Sequence, residues 1–129
     1  MAQIQVMLTE DHNVVRYGIR KILEDDQNIE VLGEAKNGYD LLTKVRSGLR
    51  PDVVLMDIHM PRMSGIDATR QLCEMLPDVA VVGFTAAKDE EVIAEMLDAG
   101  ACGYVLKDTL RRIHCLLYTS PSPRDIGES

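Results

Sequence analysis

The sequence predicts an α/β fold, a doubly wound five-stranded parallel sheet with helices on both faces. Two observations carry that expectation. Five short β-branched or apolar runs recur along the chain: IQVML at 4–8, IEVLGEA at 29–35, DVVLMD at 52–57, VAVVGF at 79–84 and CGYVL at 102–106. Between them lie stretches with helical spacing of apolar residues, and alternation of these two periods marks βαβ units. Each connection is short, as such a domain requires.

The first strand leads into a helix predicted over 13–25, with Val14, Val15, Ile19, Ile22 and Leu23 facing inward. A second helix is expected over 38–47, with Leu41, Leu42 and Val45 inward and Gly48 as its stop. The third starts near Gly65, with Ser64 as N-cap, and Pro77 ends it. The fourth covers 88–99, where Asp89, Glu90 and Glu91 suit the positive end of the helix dipole and Gly100 closes the last turn. A fifth helix is due after Lys107, but the chain reads DTLRRIHCLLYTSPSPRDIGES. Leu110, Ile113, Leu116 and Leu117 line a short apolar face there, and TSPSPRD is turn-like. The expected division is a domain over 1–108 and a non-native-looking or disordered tail over 109–129, with the fifth helix missing or replaced. The stretch CLLYTSPSPRD reads as translated adapter or vector sequence.

Length and composition set the function classes. A chain of 129 residues fits one domain with one core, and 46% apolar with 27% charged residues is ordinary for a soluble protein. No apolar run approaches the roughly 18 residues of a membrane span. The N-terminus enters a strand pattern at once, without a secretory signal, so a cytoplasmic location is expected. Cys73, Cys102 and Cys115 are widely spaced, with no CxxC pair, and are expected to be reduced thiols. The net charge of −7 argues against nucleic-acid binding by this chain on its own.

The chemistry concentrates at the strand ends. Glu10 and Asp11 follow the first strand, Asp57 closes the third, Thr85 follows the fourth and Lys107 follows the fifth. In a doubly wound sheet these ends share one edge, where ligands bind. Clustered carboxylates repel unless a cation compensates them, and Mg²⁺ suits carboxylate oxygens together with a phosphoryl oxygen. A carboxylate placed beside a metal and a lysine can attack phosphorus and form an aspartyl phosphate. The metal and Lys107 would neutralise the phosphoryl oxygens, and the Thr85 hydroxyl would bond one of them. Pro61 and Gly65 shape the loop after Asp57. His12 and His59 are read as bystanders of the carboxylate cluster, and Met56, Met60 and Met63 as packing residues.

With those residues placed, the sequence resembles the receiver domain of bacterial two-component response regulators, most closely the NarL/LuxR-type subgroup. The matching pieces are TEDH at 9–12, VVLMDIHMPRMSGIDA at 53–68, FTA at 84–86 and GYVLKD at 103–108. The resemblance implies a flavodoxin-like sheet of order 2-1-3-4-5 and an Mg²⁺-dependent phosphoacceptor at Asp57. It further implies metal ligation by Asp11, Asp57 and the backbone carbonyl of His59, with Glu10 assisting through water. Thr85 and Tyr104 would form the switch, and Lys107 would pair with the phosphoryl group. The implied partner is a sensor histidine kinase, with a homodimer formed on phosphorylation. The implied role is control of transcription through an output DNA-binding domain absent here. Two positions depart from the common pattern: Glu10 stands where many members have Asp, and Asp108 where many have Pro.

Two other readings are disfavoured. An aspartate-nucleophile phosphohydrolase usually carries a second acid two residues after the nucleophile, where this chain has His59. A flavin-binding flavodoxin needs Ser, Thr or Gly in its first strand–helix loop, which here is the acidic EDHNV. The chain is therefore expected to be a signalling switch rather than an enzyme.

Overall fold

The computed structural model describes residues 3–86 and 88–107. Five strands alternate with four helices: β1 (Ile4–Thr9), α1 (Asn13–Glu24), β2 (Ile29–Ala35), α2 (Gly38–Arg46), β3 (Val53–Asp57), α3 (Gly65–Met75), β4 (Ala80–Thr85), α4 (Glu90–Asp98) and β5 (Gly103–Leu106). All strand pairs are parallel and the order is β2-β1-β3-β4-β5. The fifth helix and the tail over 109–129 lie outside the described residues, as do Asp108 and Cys115. Among the described residues no helix is long and apolar enough to cross a membrane.

The sheet separates two apolar layers. On one face α1 contributes Ile19 and Leu23 against Val6, Leu8, Val53, Leu55, Val82 and Phe84. On the other, α2, α3 and α4 contribute Leu41, Leu42, Val45, Ala68, Leu72 and Met96 against Met7, Val54, Met56 and Val81. Every residue of β3 and β4 is buried, which explains their continuous apolar runs; a parallel strand with helices on both faces has no solvent side to mark by alternation.

Local chemistry sets the helix ends. Ser64 accepts from the Asp67 N–H at 3.2 Å, as its N-cap role requires. Asn37 accepts from the Asp40 N–H at 2.8 Å and opens α2. Asp89 accepts from the Glu91 and Val92 N–H groups, so α4 starts at Glu90, two residues after the predicted start. Gly48 and Gly100 follow α2 and α4 with φ of +122°, a torsion L side chains rarely adopt, and both act as the expected stops.

One predicted core position is corrected. Val14 is 85% exposed, whereas Ile19 and Leu23 are buried and Val15 and Ile22 are partly buried against the core. Val14 lies in the first turn of α1, on the flank of the apolar stripe and turned from the sheet. Met56 and Met63 are buried and Met60 packs against them, the packing role expected of all three. Cys73 and Cys102 form no disulfide among the described residues.

Candidate functional site

The carboxyl edge of the sheet gathers the polar groups. The register pairs Thr9 of β1 with Met56 of β3, Asp57 with Phe84 of β4, and Thr85 with Leu106 of β5. Glu10 therefore emerges beside Asp57, and Lys107 emerges one residue beyond the Thr85–Leu106 pair. Glu10, Asp57 and Thr85 are all buried, an arrangement that charged groups tolerate only with compensation.

Lys107 supplies that compensation. Its ammonium donates to Glu10 Oε1 at 3.0 Å and stands 3.5 Å from Asp57 Oδ2. It also sits 5.4 Å from the centre of the Phe84 ring, within cation–π range. The backbone N–H of His59 donates to Asp57 Oδ1 at 3.2 Å, which orients the carboxylate, while the His59 side chain is exposed. The N–H of Asp11 donates to Glu10 Oε2 at 2.9 Å.

One cation shared between two buried carboxylates leaves an excess of negative charge, and the proton equilibria reflect it. Burial, and then the neighbouring Glu10 carboxylate, push the Asp57 pKa up to about 8 despite Lys107 and the His59 N–H. For Glu10, burial raises the pKa, but interactions with Asp57, Lys107 and Asp11 outweigh it and leave the group below its ordinary value. Burial lowers the Lys107 pKa, but the Glu10 and Asp57 carboxylates outweigh it and hold the ammonium charged. Burial and the neighbouring carboxylate thus favour the protonated form of Asp57, while its partners favour the charged form of Glu10.

The donor set fits a hard divalent cation. Asp11 Oδ1 and Asp57 Oδ2 are buried and accept no hydrogen bond; His12 Nδ1 at 3.4 Å and Lys107 Nζ at 3.5 Å are their nearest basic neighbours, which leaves acceptor capacity for a cation. Ligand atoms of Glu10, Asp11 and His12 lie within 4.8 Å of one another. Carboxylate oxygens dominate, so the cluster suits Mg²⁺ better than a soft metal.

Gly65 makes the adjoining loop possible. A Cβ there would lie 2.2 Å from the Asp57 carbonyl oxygen, and the Gly65 N–H donates to the Ile58 carbonyl at 2.9 Å. The start of α3 thus presses directly on the strand end that carries Asp57. Thr85 and Tyr104 share the face of the sheet covered by α4. The register sets Tyr104 opposite Gly83, two residues before Thr85, with Met96 of α4 packed over Gly83. Tyr104 is exposed.

The structure brings Glu10, Asp57 and Lys107 into contact and sets Asp11 and Thr85 at the same edge. Three features went unanticipated: the Phe84 ring beneath Lys107, the close approach of Gly65 to the backbone, and the hydrogen bonds of Arg16 to the Glu10 carbonyl and to Glu34. An acid at the end of β2, next to β1 in the predicted order, was the available signal for the last.

Comparison with known proteins places the chain in a family. The response regulator receiver domain model matches residues 6–116. The response regulator GacA of Pseudomonas viridiflava is 42% identical over 104 residues, covering 81% of this chain and 48% of that protein. The transcriptional regulatory protein LnrK of Bacillus subtilis is 40% identical over 105 residues, covering 81% of this chain and 47% of its own length. The chain thus spans about half the length of the curated relatives it matches. Among solved structures, the signal receiver domain of the response regulator NarL from Mycobacterium tuberculosis superposes with a TM-score of 0.83 at 28% identity, covering 91% of this chain and 95% of that one. With this sheet order, this cluster of acids and lysine and these relatives, the chain belongs to the response regulator receiver domain family of two-component systems.

Proposed function

We propose that Asp57 is the phosphoacceptor of a cytoplasmic signalling switch, charged by a sensor histidine kinase in an Mg²⁺-dependent transfer. The observation that supports this best is the position of Lys107, 3.0 Å from Glu10 and 3.5 Å from Asp57 Oδ2, an oxygen that accepts no hydrogen bond. In the transfer, Asp57 gives up its proton to solvent and one carboxylate oxygen bonds to phosphorus. The P–N bond of the donor phosphohistidine breaks, and the imidazole nitrogen leaves with the electron pair and takes up a proton. Glu10, Asp11, Asp57 and the His59 carbonyl would hold Mg²⁺, with Glu10 acting through water. The ion supplies positive charge against the oxygens of the transferring group. Lys107 is placed to pair with one phosphoryl oxygen, and the Thr85 hydroxyl to bond another.

The added charge would draw Thr85 toward Asp57 and let Tyr104, exposed at the same face, move inward. That change remodels the face of α4 and β5, which we propose then forms a homodimer. We further propose that the switch acts on transcription through an output domain; the LnrK relative is named a transcriptional regulatory protein.

The test is incubation with acetyl phosphate and Mg²⁺, read by intact mass. One phosphoryl group per chain is expected, and none on Asp57→Asn. Label that persists on Asp57→Asn, or repeated turnover of a generic phosphatase substrate, would overturn the proposal.

A further inference from the structure

Arg16, in the first turns of α1, donates to three acceptors from three segments of the chain. Nη1 reaches the Glu10 carbonyl at 2.7 Å, Nη2 reaches Asn13 Oδ1 at 2.6 Å, and Nε reaches Glu34 Oε1 on β2 at 3.0 Å. The Glu10 carbonyl belongs to the same peptide unit as the Asp11 N–H, and that N–H is bound by Glu10 Oε2. The peptide joining the two acids is therefore pinned on both sides: its oxygen by Arg16, its hydrogen by the Glu10 carboxylate. Both acidic side chains project from the Cα atoms at the two ends of this unit, so holding it fixes the backbone from which they reach the site.

Glu34 determines which way the guanidinium points. Its other oxygen pairs with Arg20, and its backbone carbonyl accepts from Lys44 Nζ. Glu34 is thus fixed from α1 and α2 and holds Arg16 on the carbonyl of Glu10. Without it, the guanidinium would be drawn to the carboxylates of Glu10 and Asp11, where a positive charge competes with a divalent cation.

We infer that Arg16 is a positioning residue for the cation site and Glu34 its anchor, the pair setting the affinity of the Glu10–Asp11–Asp57 cluster for Mg²⁺. This inference rests on the reading of that cluster as a cation site. Partners that orient metal ligands change affinity on the order of tenfold or more when removed.

The experiment is calorimetric titration of the folded protein with MgCl₂ alone, beside thermal unfolding without Mg²⁺. Arg16→Gln and Glu34→Gln are each expected to weaken Mg²⁺ binding on the order of tenfold. Arg16→Lys should fall between, because one ammonium satisfies the Glu10 carbonyl or Glu34 but not all three acceptors. Glu24→Gln removes only the outer Arg20 pair and should leave the affinity unchanged. Folded Arg16→Gln with wild-type affinity, or Arg16→Lys no better than Arg16→Gln with Glu24→Gln equally weakened, would overturn the inference. If Arg16→Gln does not fold, Glu34→Gln and Arg16→Lys decide by the same readout. A wild-type chain that takes no Mg²⁺ would overturn the cation-site reading itself, whereas wild-type binding matched by the variants overturns the Arg16 role alone.

Discussion

Glu10 and Lys107, 97 positions apart in the chain, meet with Oε1 and Nζ 3.0 Å apart. The contact closes the site, because the same ammonium also stands 3.5 Å from Asp57 and so bridges both carboxylates, while His12 Nδ1 lies 3.9 Å from Glu10 on its other oxygen. Lys107→Met keeps the aliphatic stem and removes the charge. In EDTA at pH 7 this variant is expected to lose about 1–3 kcal/mol of stability, less than for a fully buried pair because Lys107 keeps some solvent contact. Urea unfolding measures it. An unchanged midpoint would show that the pair contributes nothing.

Asp57 predicts a pH dependence. Its folded-state pKa is raised, by burial and then by Glu10, from 3.8 to about 8. The folded chain therefore binds this proton more tightly than the unfolded chain. The resulting stabilisation is complete below about pH 4 and is lost as pH rises toward 8. Melting temperatures in EDTA should fall between pH 5 and pH 8, and Asp57→Asn should flatten that decline. Glu10 acts in the opposite sense, its stabilisation being lost as pH falls below the ordinary carboxylate range, so the two windows separate. A variant that melts in parallel with wild type across this range would contradict the assignment.

Uptake of the proposed cation would displace the same proton. At pH 7, titration with MgCl₂ in buffers of different ionisation enthalpy should reveal close to one proton released per ion bound, and near pH 9.5 almost none. Equal heats in all buffers at pH 7 would refute the protonated Asp57.

Two glycines give opposite expectations. Gly65→Ala places a methyl group against the Asp57 carbonyl, a backbone atom that cannot swing aside, and should destabilise by about 3 kcal/mol or more. Gly18, inside α1, has nothing within 4 Å of its missing Cβ, so Gly18→Ala should stabilise by about 0.5–1 kcal/mol. Chemical denaturation of the pair checks both signs at once.

Asp89 is expected to act locally. Asp89→Ala removes the acceptor for two N–H groups at the start of α4 and should cost about 1 kcal/mol. Its Mg²⁺ affinity should match wild type; a large change would mean that α4 is coupled to the cation site before phosphorylation.

Much of this was legible from residue pattern. The strands announced themselves as apolar runs because both faces of β3 and β4 are covered, and Gly48, Ser64 and Gly100 marked helix ends through torsion and capping. Glu10, Asp57 and Lys107 could be placed at one edge because a parallel sheet aligns all its strand ends. Val14 was misplaced because apolar spacing alone makes the inner stripe of α1 too wide at its first turn. The Arg16–Glu34 contact was invisible because charged residues carry no periodic signal, and the approach of β2 to α1 is fixed only once the sheet has formed.

The shortest strand has an outsized consequence for biosynthesis. β5 is four residues long and covers the outer side of β4, whose six residues are all buried. A nascent chain that has not yet released residues 103–107 from the ribosome would display β4 as a bare apolar rim, the kind of edge that recruits foreign strands. Ribosome stalling in this short window would therefore favour aggregation, and the same five residues that seal the rim deliver the lysine that makes the site complete.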